Sequence, residues 1–153
     1  MQKSSEHLKS TEMKTQTIDQ QIEINAPPEK VWQVLWNKDS YEKWAAAFMP
    51  GSHYTGDLKQ GGRIKFLDPN NNGMESEVAS LTENREVTFH HLYEVEAGKE
   101  GKSLGNMQEK YSLNEQDGVT TLSLNSDMPE EYFSEMDAST TKALQTIKEL
   151  AEE

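Results

Sequence analysis

Side chains able to do acid–base chemistry are sparse in the apolar runs of this 153-residue sequence, and two of them stand side by side. In VTFHHLYEV, His90 and His91 interrupt a run of β-branched and aromatic residues. Successive side chains of a strand point to opposite faces, so the two imidazoles cannot act as one site. Val87, Phe89, His91, Tyr93 and Val95 share the apolar parity, while Thr88, His90 and Glu94 share the polar one, which makes His91 the inward histidine. In NMQEKYSLN, Met107, Glu109, Tyr111 and Leu113 share a parity, putting one carboxylate on a face otherwise apolar or aromatic. An inward imidazole and an inward carboxylate on adjacent hairpin strands would each bear on the other's charge in a low-dielectric interior. Such groups pin the polar end of a ligand, move a proton, or merely hydrogen-bond a tyrosine hydroxyl near an opening, and alternation alone leaves all three open. A register slip of one residue would turn both outward.

The remaining chemistry-bearing residues form no second constellation. His7, His53, His90 and His91 lack metal-ligand spacing and the chain has no cysteine, so no metal site, cofactor, disulfide or thiolate nucleophile is expected. Gly61 and Gly62 lack the strand–loop–helix context of a phosphate cradle. Trp32, Trp36 and Trp44 sit at helical spacing and read as packing residues rather than a stacking platform. A net charge of −12, with no basic cluster to offset it, repels phosphate backbones and anionic lipid headgroups, so nucleic acid is excluded as a partner. No apolar run approaches the ~20 residues that span a bilayer. Residues 1 to 16 lack the apolar centre of a signal peptide, and the expected location is cytoplasmic.

The elements that must position His91 and Glu109 follow from periodicity. After a polar tail over residues 1–16, one domain is expected over 17–153. Ile18, Ile22 and Ile24 share a parity and predict a strand. Pro27 and Pro28 open a helix carrying Val31, Val34 and Leu35 on one stripe, and Asp39 with Glu42 reads as the capping box of a second short helix bearing Tyr41, Trp44 and Phe48. From His53 to Asn125 the chain reads as strands and turns, with hairpins at DPNNNG, AGKEGKSLG and NEQDG. Val78 and Leu81, three apart, suggest a bulge. Asp127-Met-Pro-Glu reads as the cap of a terminal amphipathic helix of about 23 residues, spanning ~34 Å. The fold class is therefore α+β: a curved antiparallel sheet of about seven strands wrapped around one long C-terminal helix, with two short helices between the first two strands.

The stretch IEINAPPEKVWQVLWNKDSYEKW resembles the opening of the START-like (SRPBCC) superfamily, which includes polyketide cyclases, plant pollen allergens and lipid-transfer domains. LKQGGRIKF, ESEVASLTENREVTF and GVTTLSLNSDMPEE resemble its branch named after the activator of heat-shock-protein ATPase, and the likeness runs from about Thr17 to Glu152. The resemblance implies a helix-grip fold whose sheet and last helix enclose a deep apolar cavity, with no universal catalytic residue. Many relatives carry a Gly-Trp pair where this chain has Ser139-Thr140, a change that would enlarge or wet the cavity.

The expected cavity lining combines these readings. Trp44 and Phe48 come from the second helix, Phe66, Phe89, His91 and Tyr93 from middle strands, and Met107, Glu109, Tyr111, Leu122 and Leu124 from the last two. Met136, Thr140 and Leu144 come from the terminal helix. The leading expectation is noncatalytic binding of one small hydrophobic or amphipathic molecule, oriented by His91, Tyr93, Glu109 and Tyr111. The alternatives are a cyclase- or hydrolase-like enzyme using His91 and Glu109, and a module that interacts with the chaperone ATPase, the last motivated only by the family name. A homodimer is compatible with each.

Overall fold

The computed structural model describes residues 14–153. Residues 1–13, which hold His7 and most of the expected tail, lie outside the described residues. The element order is β1 (Thr15–Ile24), α1 (Pro28–Trp36), α2 (Lys38–Ala45), β2 (His53–Gly56), β3 (Arg63–Leu67), β4 (Gly73–Thr82), β5 (Glu86–Glu96), β6 (Lys99–Ser103), β7 (Gln108–Gln116), β8 (Val119–Pro129) and α3 (Glu130–Ala151). The strands form one antiparallel eight-stranded sheet in the order β1-β8-β7-β5-β4-β3-β2, with β6 paired to the far end of β5. This is the expected α+β architecture with one strand more than alternation suggested.

The additional strand explains itself. KEGKS carries no apolar residue, so periodicity gave no reason to assign it. It pairs through its backbone with the half of β5 that extends past β7, Val95 opposing Glu100. The first strand begins at Thr15, two residues before the expected start.

One face of the sheet is apolar because the parities align across the strands. Directly opposed residues share a face, and the register sets Ile22 against Leu122, Leu122 against Leu113, and Leu124 against Tyr111. The 22-residue α3, about 33 Å long, lays Thr140, Ala143, Leu144, Ile147 and Ala151 on this face, a spacing of three and four. Polar ties fix it along β1. Gln20 Nε2 donates to the Asp137 carboxylate at 2.8 Å, Lys148 Nζ to the Glu23 carbonyl at 3.0 Å, and the Asn25 amide to the Glu152 carboxylate at 2.7 Å.

The two short helices fill the remaining space. Pro27 caps α1 in an extended conformation and Pro28 opens it, as the paired prolines predict. Val31, Trp32, Val34, Leu35 and Trp36 are all buried. The expected capping box of α2 is not formed: the cap residue is Asn37, without a side-chain bond, and Asp39 lies inside the first turn. Its carboxylate there is favourable to the helix dipole without capping. Asp127 likewise does not cap α3, whose cap is Pro129. The strand runs on through it, and Asp127 accepts from the Thr17 hydroxyl at 2.7 Å and from the Gln108 amide at 3.0 Å, joining β1 and β7 to β8. The bulge expected near Val78 is present, with Ala79 skipped between the Val78–Phe89 and Ser80–Thr88 pairs.

Candidate functional site

The β4–β5 register opposes Ser76 to His91, and the β5–β7 register opposes Phe89 to Glu109, so the three polar residues face inward together. They join into one chain. The Ser76 hydroxyl lies 2.6 Å from His91 Nδ1, His91 Nε2 lies 3.3 Å from Glu109 Oε1, and the Tyr111 hydroxyl donates to Glu109 Oε2 at 2.6 Å. An ionised carboxylate only accepts, so Nε2 carries the hydrogen shared with Glu109. In the neutral imidazole Nδ1 then accepts from the Ser76 hydroxyl, and in the imidazolium that bond reverses.

Access along the chain is uneven, and that decides its chemistry. Ser76 is 0% exposed and the His91 side chain 4%, whereas the Glu109 side chain is 17% exposed. Glu109 is therefore the member an incoming molecule can touch. Ser76 is closed to substrate and cannot serve as a nucleophile. A carboxylate has about four acceptor positions. Tyr111 and His91 occupy one on each oxygen, leaving Glu109 able to accept further donors.

Burial pushes the Tyr111 hydroxyl well above its ordinary pKa, and the Glu109 carboxylate adds to the rise. Burial also raises Tyr41, with Glu109 and then Tyr54 contributing. Both are held neutral, and Tyr111 donates to the carboxylate.

Trp36 supplies the floor. Its ring centroid lies 5.0 Å from Tyr111 and 5.5 Å from Phe89, both edge-on, and 6.4 Å from each of Tyr41, Trp44 and Tyr54. These contacts occupy volume that the resemblance assigned to a deep cavity. Trp44 Nε1 donates to the Val34 and Leu35 carbonyls at 3.2 Å. By contrast Trp36 Nε1 is buried without a hydrogen-bond partner among the described residues. A buried donor left in that state costs about 1–3 kcal/mol.

The expected lining residues divide into three groups. Trp44, Phe89, His91, Met107, Tyr111, Leu122, Leu124, Thr140 and Leu144 are buried. Phe48, Phe66, Glu109 and Met136 are half-buried. Tyr93 is placed on the other side. A bulge leaves Leu92 unpaired between the Ser76–His91 and Glu75–Tyr93 pairs, reversing the parity, so Tyr93 joins Lys65 and Glu75 on the outer face. There Arg63 Nη1 lies 2.8 Å from Glu75 Oε2. Burial pushes the Glu75 carboxyl up, but hydrogen bonds from Tyr93 and Arg63 outweigh it and hold the group below its usual range.

Thr140, expected to wet the interior, donates its hydroxyl to the Met136 carbonyl at 2.8 Å and so offers no free donor inward. Ser76, Trp36 and Tyr41 were not singled out as site residues. Ser76 shares a parity with Met74 and Val78 and was legible on that ground; nothing in composition distinguished Trp36 from its neighbouring tryptophans.

Two surface grooves lie away from this chain of bonds. One of about 210 Å³ runs between α1, α2 and the end of α3, past Lys30, Asn37, Lys43 and Glu153. Another of about 530 Å³ runs between β1 and α3, past Gln20, Ile22, Thr141 and Gln145. Among the described residues no group of three or more His, Asp or Glu is disposed to hold a metal ion, and no helix is long and apolar enough to cross a membrane.

Against known proteins, the model of a family described as Activator of Hsp90 ATPase homolog 1-like protein matches residues 25–152. No curated protein matches the sequence. Among solved structures, the chain is similar to CalU16 from Micromonospora echinospora, with a TM-score of 0.66 and 20% identity over 90% of this chain and 76% of that one. It is similar also to the Aha1 dimer from Colwellia psychrerythraea, with a TM-score of 0.69 and 21% identity over 90% and 96% of the two chains. Protein CV1439 from Chromobacterium violaceum gives a TM-score of 0.68 at 18% identity, covering 90% of this chain and 97% of its own. These structures share the fold.

Proposed function

Since the chain belongs to the family of Activator of Hsp90 ATPase homolog 1-like proteins, within the START-like superfamily, we propose that it binds one small amphipathic molecule without transforming it. The ligand's apolar body lies against Phe48, Phe66 and Met136, and its polar end meets Glu109. The observation that carries the reading is the bonded chain from Ser76 through His91 and Glu109 to Tyr111, set in an aromatic face and reachable only at Glu109. Burying such groups is costly unless each is bonded. Here the bonds from His91 and Tyr111 also orient the carboxylate, the arrangement expected of a fixed polar contact beside an apolar surface. A thermal-shift and native mass-spectrometry screen against lipids, aromatics and polyketides tests it. The expected result is one bound equivalent and a raised Tm that Phe66→Asp abolishes. Absence of binding by every class would remove the reading.

A second reading is acid–base catalysis by His91 and Glu109, favoured by their 3.3 Å separation, which is within direct reach of proton exchange. It requires turnover that vanishes in Glu109→Gln while binding persists. Interaction with a heat-shock ATPase rests on the family description, and co-sedimentation with that ATPase tests it. A homodimer is supported only by the dimeric state of the Colwellia relative, and light scattering tests it.

A further inference from the structure

Resting on the binding reading above, we propose that the ligand presents a protonated amine to Glu109, and that carboxylates of the same shape are rejected. The inner face carries a carboxylate without a matching Lys or Arg. Across the strands the positions opposed to or flanking Glu109 on that face are Phe89, Ser126, Met107 and Tyr111, with Ile18 opposed to Ser126 one strand further on. Among the described residues the ion contact of Glu109 is with an imidazole alone. Lys38 comes close to the aromatic cluster, its Nζ 5.1 Å over the Tyr54 ring, but it is exposed and does not pair with Glu109.

Four physical terms then point the same way. The spare acceptor positions on Glu109 call for donors, and a charge-assisted N⁺–H···O⁻ bond is roughly twice as strong as a neutral one. Low local dielectric strengthens that attraction and equally strengthens repulsion of an anion. Half-buried Phe66, 5.1 Å from Phe89, is an aromatic ring on this face that a ligand can reach, and a ring face favours a cation by its quadrupole. The net charge of −12 raises the local concentration of cations and lowers that of anions at the opening.

The test uses three probes with one apolar body: cyclohexylethylamine, cyclohexylethanol and cyclohexylacetate. Dissociation constants are measured by ligand-observed NMR on the whole chain at neutral pH. The expected order is amine tightest, alcohol next, carboxylate weakest, with roughly tenfold or more between the extremes. Glu109→Gln keeps the shape and the Tyr111 bond but removes the charge. It should erase the amine preference and change alcohol binding by less than about threefold. Circular dichroism and Tm confirm that the variant is folded, and the comparison of heads on the unaltered chain stands without it. Equal affinities, or a preferred carboxylate, overturn the amine inference while leaving the binding reading intact. Failure of all three probes to bind overturns the amine inference, whereas the binding reading falls only if every class in the wider screen also fails to bind.

Discussion

The inner face of the sheet has two halves built on opposite principles. Under α3, β1 and β8 contribute Ile18, Ile24 and Leu122, which are almost fully buried with Ala143, Leu144 and Ile147 of the helix. Beyond the helix, β4, β5 and β7 contribute Ser76, His91 and Glu109 among Phe89, Tyr111 and Trp36. The first half is packed from apolar side chains, with its polar ties at the edges of the helix. The second gives up apolar burial to hold polar groups that must be bonded in pairs, and it leaves Trp36 Nε1 unbonded. The difference separates an apolar half from one that carries a bonded polar chain.

The comparison is broken most severely by a cavity in the apolar half. Ile147→Ala removes a side chain that is 1% exposed and should cost about 2–5 kcal/mol in urea denaturation. Preference among ligand head groups should be unchanged. If that preference collapses with Ile147, the two halves are not independent.

A thermodynamic cycle sharpens the comparison from the other side. His91→Leu leaves the buried Ser76 hydroxyl without its partner and should cost about 1–3 kcal/mol. Ser76→Ala should cost less. The double variant should be more stable than the sum of the single losses implies, because the orphaned hydroxyl is gone. Strict additivity would show that the bond between Ser76 and His91 carries no energy.

Alkaline pH should loosen the polar half. Tyr41 and Tyr111 have raised folded-state values, so the stability they contribute is complete below the ordinary phenol value and is lost as pH rises above it. One unit beyond pH 10 this amounts to about 1 kcal/mol for each residue. Tyr111→Phe should flatten the decline above that pH, as followed by denaturation at stepped pH.

The smallest effect belongs to the apolar half's surface ties. Glu152 is held below the usual carboxylate range by its bond to Lys148 and then by the Asn25 amide. Its stabilisation is present above the unfolded carboxylate value and fades as pH falls through the folded one. Glu152→Gln should make the acid limb of the stability profile slightly shallower and leave neutral-pH binding untouched.

Much of this division was legible from residue spacing. The inward assignment of His91, Glu109 and Tyr111 needed only strand periodicity, and the bulge at Ala79 was visible because Val78 and Leu81 break alternation. The bulge at Leu92 left no such trace, since Tyr93 and Val95 keep the apolar parity of His91 after the backbone has reversed it. What decides there is pairing with distant strands, which local pattern does not contain. Asp127 misled for a related reason: Asp followed by Met-Pro-Glu satisfies the chemistry of a helix start, yet Thr17 and Gln108 of the neighbouring strands claim its carboxylate. Filling of the interior by Trp36 depends on how two short helices meet the sheet, which spacing along one helix cannot specify.

Methyl NMR during titration with cyclohexylethylamine tests most directly whether the polar half of the inner face is where a ligand is held. The account predicts shifts concentrated at the Met74 and Met136 methyls, with Leu122, Leu144 and Ile147 unmoved. Shifts centred instead on Ile22 and Leu144, beside the groove between β1 and α3, would contradict it.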